Sequence, residues 1–164
     1  MSRIKPHAAP MLAVALLPLL SNAQQTTSGT GLEEVVVTAQ RREEKLQDVP
    51  IAVTALTARQ LEARGITSID SLNSMAPNLQ VSYTPGNTTA AQIAIRGGVT
   101  VNPALTWEPT VGIYLDGVYI GKMQGSVFDV VDLERVEVLR GPQGTLYGRN
   151  TLAGALNLIG RAHV

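Results

Sequence analysis

Cysteine is absent, and the only two histidines, His7 and His163, stand at opposite ends of the 164-residue chain. That excludes a disulfide scaffold, a thiolate metal site and a cysteine nucleophile. It also leaves the body of the chain without an imidazole for a metal cluster or a general base. Aromatic residues are scarce, with one Phe, one Trp and four Tyr, so the core is expected to be modest. Charge excess is missing as well, since 13 Lys and Arg balance 13 Asp and Glu. No basic block is longer than Arg41-Arg42, and Glu43-Glu44 follows at once. Nothing in this pattern steers the chain toward nucleic acid. No apolar run reaches the roughly 20 residues that a membrane-spanning helix needs.

What is present suits one globular domain. Hydrophobic residues make up 45% and charged residues 16%, unlike a disordered tail. Arg3 and Lys5 precede the apolar run Pro10–Leu20, and Ser21-Asn22-Ala23 supplies small residues at the −3 and −1 positions of a cut. This is the pattern of a secretory signal peptide over residues 1–23, which places the remainder outside the cytoplasm. Arg3 and Lys5 account for two of the 13 basic residues, so the remainder carries 11 against 13 acidic ones.

Residues 24–31, QQTTSGTG, have linker composition. The run Glu33-Glu34-Val35-Val36-Val37-Thr38-Ala39 follows, and three successive valines favour extended backbone. Between a polar leader and the charged run Gln40–Asp48 it reads either as an isolated strand open to β-augmentation or as the first strand of the domain sheet. The folded body is expected to start near Val49, with a strand over Pro50–Leu56. Thr57 and Gln60 have capping-box spacing, Leu61 continues that helix and Gly65 closes it. A second short helix is expected from Ser68 to Met75, with Ile69, Leu72 and Met75 or Ala76 on its apolar face. Short β-prone runs then alternate with glycine-rich turns. Leu79–Tyr83 is a strand, Thr84–Thr89 a turn, and Ile93–Ile95 a strand entering Arg96-Gly97-Gly98. Asp116-Gly117 between Val111–Leu115 and Val118–Ile120 signals a type I′ hairpin. Ser126–Val130 reads as a short helix, Val136–Arg140 and Ala155–Ile159 as strands, and Gly141–Gly144 and Gly148–Asn150 as turns. This order indicates a compact α+β domain with no membrane barrel, and its helices are too short for a doubly wound sheet.

Several chemical readings fail. Gly141–Gly144 lacks the GxxxxGK[ST] pattern of a phosphate loop. Asp129, Asp132, Glu134 and Glu137 do not fit an EF-hand loop and suit a solvated, salt-bridged surface, so no metal is expected. Serine and carboxylates without histidine make no hydrolytic triad. The expectation is a protein that is not an enzyme and needs no cofactor.

The run GIYLDGVYIG over 112–121, followed by FDVVDLERVEVLRGPQGTLYGRN over 128–150, closely resembles the plug domain of TonB-dependent outer-membrane receptors. Ile95-Arg96-Gly97 matches a further plug motif, and Glu33–Ala39 looks like the family's TonB box. The resemblance covers nearly the whole chain after residue 23, and its motifs are long, specific and in order. It implies a plug seated in a barrel of about 22 strands that imports a scarce nutrient such as a ferric siderophore. It also implies that TonB, an energy-transducing inner-membrane protein, grips the box. Glu33, Glu34, Val35, Val36, Val37, Thr38 and Ala39 would then contact TonB. Arg96, Glu134, Arg135, Glu137, Arg140 and Arg149 would form salt bridges within the plug or to the barrel, the plainer alternative for each being a solvated surface charge. Gly97, Gly117, Gly141, Gly144 and Gly148 would hold turns. Pro85–Thr89 and Val99–Pro109 would reach the ligand side, with Trp107 as the ligand contact unless it merely packs.

The resulting division is a signal over 1–23, a flexible leader over 24–48 with the box at 33–39, a plug over 49–160 and an atypical tail over 161–164. Because the chain stops where a plug hands over to its barrel, it reads as a fragment unable to transport alone. In a full receptor it would sit in the cell outer membrane. Expressed by itself it would be a free periplasmic TonB-binding module that competes with intact receptors.

Overall fold

The structure is a computed structural model that describes residues 34–73, 75–101, 106–122, 126 and 132–161. The expected export signal, the linker over 24–31, Glu33, all but Ser126 of the helix expected over Ser126–Val130, and the last three residues of the tail lie outside the described residues. The architecture is α+β, with short strands and helices and no closed barrel sheet among the described residues.

A five-stranded sheet organises the domain. Its strands are β3 (Val53–Thr57), β6 (Val111–Leu115), β7 (Val118–Ile120), β8 (Leu133–Arg140) and β9 (Gly154–Gly160), in the order β3-β8-β9-β6-β7. Only the β6–β9 pair is parallel. Asp116 and Gly117 turn β6 into β7 with φ of 49° and 80°, as the Asp-Gly signal requires. Gly154 enters β9 where a Cβ would lie 2.3 Å from the Leu139 carbonyl oxygen, so only glycine lets the two strands approach.

Successive residues of a strand face opposite sides, and both sides of this sheet are covered. Val136, Val138, Leu156 and Leu158 face a large aliphatic core with Leu61, Ile69, Leu72, Ile93 and Ile95. Helix α1 (Ala58–Ala63) contributes Leu61. The Thr57 N–H donates to Gln60 Oε1 at 3.1 Å, and Gly65 at φ 64° lets Ile66 N–H reach the Leu61 carbonyl, so both ends match their sequence signals. The second helix is shorter than expected, a 3₁₀ turn over Ile69–Leu72. Asn73 leaves helical geometry, and its Oδ1 accepts the Val81 N–H at 3.1 Å. A separate hairpin of β4 (Leu79–Thr84) and β5 (Asn87–Ile95) completes this layer. The turn is tighter than the expected 84–89, with Gly86 at φ 76°. Asn87 pairs with Thr84 and Ala91 with Tyr83, so the polar residues between them extend the strand through a bulge, where Asn87 Oδ1 accepts the Thr89 N–H at 2.9 Å.

Leu139 and Ala155 face the opposite side, where Tyr114, Tyr147 and Val49 form a second core with Val37 and Ala39. The start of the described chain packs here. Strands β1 (Val36–Val37) and β2 (Glu44–Lys45) pair antiparallel, with Val36 opposite Lys45 and Val37 opposite Glu44. Neither sequence alternative for β1 matches. It is not isolated, and its partner is the neighbouring charged run rather than the domain sheet. The Arg41 N–H closes on the Thr38 carbonyl at 2.8 Å, with Arg41 at φ 57°. Helix α2 (Gly144–Tyr147) underlies this core and brings in Tyr147; it lies between the turns expected over Gly141–Gly144 and Gly148–Asn150 and starts on the last residue of the first.

Candidate functional site

The valine run and the charged run after it fold back on themselves, and the pairing register decides what each residue offers. The Leu46 N–H donates to the Val35 carbonyl at 2.9 Å. In an antiparallel pair, inward and outward backbone groups alternate, so Val36 turns its N–H and C=O groups away from β2, while the Thr38 carbonyl closes the turn on Arg41. The outward Thr38 N–H reaches Glu137 Oε1 at 2.7 Å. Val36 is 40% exposed, and its outer edge faces an open groove of about 430 Å³ lined by Glu34, Val35, Val36, Thr57, Ala58, Arg59, Glu134 and Arg135.

Glu137 is fully buried. On β8 it shares a face with Leu139 and stands opposite Asn157 on β9. A lone buried carboxylate would be strongly unfavourable, so its partners matter. Arg135 Nε donates to Oε1 at 2.8 Å. Asn157 Nδ2 donates to Oε2 at 3.3 Å and to the Tyr147 hydroxyl at 2.7 Å. The Thr38 hydroxyl also lies within reach of the carboxylate, at 3.2 Å. Arg135 additionally pairs with Glu134, which is half exposed and anchors the guanidinium from the solvent side.

Tyr147 completes the attachment. Its hydroxyl donates to the Ala39 carbonyl at 3.1 Å, while its own carbonyl accepts the Tyr114 hydroxyl at 2.6 Å. Burial pushes both phenols above their ordinary value, so they stay protonated and able to donate. Arg41 lies 5.0 Å above the Tyr147 ring and 5.9 Å from the Tyr114 ring, and its Nε donates to the Leu146 carbonyl at 2.8 Å. Val37 and Ala39 are completely buried beneath; full burial of the valine alone contributes about 2 kcal/mol. Residues 37–39 are therefore seated on one face of the sheet by apolar contacts and by a hydrogen-bonded ring together.

The other expected site residues are dispersed. Arg149 pairs with Glu108 at 2.9 Å, both exposed, an interaction of small value. The Arg96 guanidinium lies against Gly141, where a Cβ would come within 3.0 Å of Nη1. Arg140 Nε is buried without a hydrogen-bond partner among the described residues. Gly97, Gly117, Gly141 and Gly148 all have positive φ, as turns demand, whereas Gly144 opens α2. Trp107 is 56% exposed. It follows Thr106 on a segment stapled by Thr100, whose Oγ1 accepts the Thr110 N–H at 3.0 Å and donates to the Glu108 carbonyl. Tyr147, Asn157 and Arg41 are the attachment residues that sequence reasoning passed over. Tyr147 had a signal in being one of only four tyrosines, but its reach to Ala39 spans 108 residues.

Comparison with known proteins gives a consistent picture. The model of the TonB-dependent Receptor Plug Domain family matches residues 45–155. The pesticin receptor of Yersinia pestis is 32% identical over 160 residues, which is 97% of this chain and 22% of that receptor. A vitamin B12 transporter of Vibrio vulnificus is also 32% identical, over 91% of this chain and 24% of its own length. Among solved structures, the ferric yersiniabactin uptake receptor FyuA from Yersinia pestis superposes with a TM-score of 0.61 at 31% identity, covering 68% of this chain and 17% of that one. The ferripyoverdine receptor of Pseudomonas aeruginosa has a TM-score of 0.64 at 21% identity, covering 79% of this chain and 17% of that one, and shares the fold. The chain thus spans about a fifth to a quarter of the length of these curated relatives.

Proposed function

The chain belongs to the plug-domain family of TonB-dependent receptors, and from that premise we propose that it gates a nutrient-importing outer-membrane barrel and hands residues 33–39 to TonB. The observation that carries this reading is the outward edge of Val36. It lies on a strand that is attached to the plug yet turns backbone N–H and C=O groups toward an open groove. Such an edge is the substrate for β-augmentation, in which main-chain hydrogen bonds supply the affinity. A plug is needed because a barrel of many strands otherwise leaves an open lumen, and a closed barrel is how sheet crosses lipid without unpaired edges.

The cargo is a small scarce nutrient, with a ferric siderophore favoured by the 31% identity to a ferric yersiniabactin uptake receptor. Trp107, exposed beside the Thr100 staple, and the β4–β5 turn are the ligand-side elements of this proposal. Arg96, Arg140 and Arg149 are its contacts to the barrel wall, while Arg135 with Glu134 and Glu137 acts inside the plug. The working location is the outer membrane when the plug sits in a full receptor. An export signal over 1–23 and a leader over 24–48 belong to the same reading.

The test is binding of the chain to a purified TonB C-terminal domain. Val36→Pro removes an outward N–H donor without touching the buried Val37 or Ala39. Affinity is expected to fall about tenfold, the equivalent of one net hydrogen bond. Unchanged affinity, measured by calorimetry, rejects strand pairing at this edge.

A further inference from the structure

The attachment of Thr38 and Ala39 uses a buried charge where the sheet does not need one. Val136–Leu139 pair with β3 and β9 through their backbones, and an apolar side chain at 137 would fill the same space without desolvating a carboxylate. Replacing a buried ionic group by a well-packed apolar one is commonly neutral or stabilising. What an apolar residue cannot do is hold a backbone N–H and then let it go to water.

We infer that Glu137 is the positioning residue of the site, a releasable latch that fixes Thr38 and with it the outward edge of Val36. Beyond the reading that residues 33–39 pair with a partner strand, on which it rests, it names what holds that strand and what must open. The geometry is a closed ring. Thr38 N–H meets Glu137, Glu137 and the Tyr147 hydroxyl both receive Asn157 Nδ2, and Tyr147 returns to the Ala39 carbonyl. The two strand groups held are consecutive, so a pull that frees one strains the other. The ring is poised rather than saturated, because Asn157 Oδ1 is buried without a hydrogen-bond partner among the described residues. It is also within reach of solvent, because Thr38, Tyr147 and Asn157 line an open cavity of about 380 Å³. Water entering there can replace each strand contact as it breaks, whereas the aliphatic core on the other side of the sheet offers no such substitution.

Hydrogen–deuterium exchange of the full chain tests this, run with and without a TonB C-terminal domain. In Glu137→Gln the charge is lost, and the new amide nitrogen faces another donor, on Arg135 or Asn157. Exchange at Thr38, whose N–H is bonded to Glu137, and at Val37, which pairs with Glu44, should rise roughly ten- to hundredfold, the span of a lost hydrogen bond to a charged group, while Val136, Val138 and Leu156 keep their wild-type rates. Unchanged exchange at Thr38 and Val37 overturns the inference. If the core loosens too, Thr38→Pro decides, because it leaves Glu137 with Arg135 and Asn157. It must speed exchange at Val37, which pairs with Glu44, while Val136, Val138 and Leu156 keep their wild-type rates, and failure to do so overturns the latch equally. The TonB domain separates the two layers. Tighter binding to Glu137→Gln than to wild type is expected from both. A loosened strand with no TonB binding in either protein supports the latch and rejects TonB as the partner.

Discussion

The two faces of the five-stranded sheet are held by different physics. One carries Val136, Val138, Leu156 and Leu158 against aliphatic side chains from α1, the 3₁₀ turn and the β4–β5 hairpin. The other carries Glu137, Asn157 and Leu139 against a strand, two tyrosines and an arginine. Dispersion and hydrophobic burial on the first face are non-directional and fail only when the domain unfolds. Hydrogen bonds on the second are directional and exchangeable with water, so they can fail one segment at a time. The proposed gating role needs both kinds, a scaffold that stays folded and an attachment that lets go.

The largest effect is expected on the aliphatic face. Leu156 is fully buried, and Leu156→Ala should cost about 2–5 kcal/mol of global stability through the lost burial and the cavity left behind, read by urea denaturation. If it loosened only residues 34–48, the division between faces would be broken. Gly154→Ala comes next. Its Cβ would sit 2.3 Å from the Leu139 carbonyl oxygen, and separating β8 from β9 should cost about 1–3 kcal/mol, again as a global shift in midpoint.

Tyr147→Phe tests the polar face. It removes the donor to Ala39 and the acceptor for Asn157 Nδ2, with a cost of about 1–2 kcal/mol, and limited proteolysis should cut first within 34–48. The same phenol sets an alkaline limit. Its folded value is raised by burial, so the folded state holds this proton more tightly than the unfolded chain does. The stabilisation is complete below the ordinary value near 10 and is lost as pH climbs through the folded value. Wild type should therefore lose more stability than Tyr147→Phe above about pH 10, seen in thermal melts across that range. The smallest effect belongs to Arg149→Ala. Its pair with Glu108 is exposed on both sides, and a change within about 0.5 kcal/mol is expected from the same melts.

Local chemistry made part of this fold readable. Asp116-Gly117 demanded a turn with two positive φ angles, and Thr57, Gln60 and Gly65 marked both ends of α1, because each signal is complete within a few residues. Strand β2 was hidden for the opposite reason. Glu44-Lys45 has little strand propensity, and only pairing with Val36-Val37 makes it a strand. Helix α2 starts at Gly144, a residue that reads as a turn, and is fixed from outside by Tyr147 and its contacts. For the site, Glu137 was singled out as an ion-pair residue and does meet Arg135. Its bond to Thr38 joins residues 99 apart, and no periodicity encodes such a contact. The residue pattern did hold one unused clue. Glu137 sits between Val136 and Val138 in a strand buried on both faces, so a carboxylate there had to find internal partners.

The central claim is that β1, rather than another free edge, meets the partner strand, and the absence of cysteine makes it directly testable. Single cysteines at Val36 or Thr38, and at Val118 on the edge strand β7, can be scanned for disulfide formation with a TonB C-terminal domain carrying cysteines along its own edge strand. The account predicts cross-links from Val36→Cys and Thr38→Cys in a single consistent register and none from Val118→Cys. Cross-links confined to Val118→Cys would contradict it.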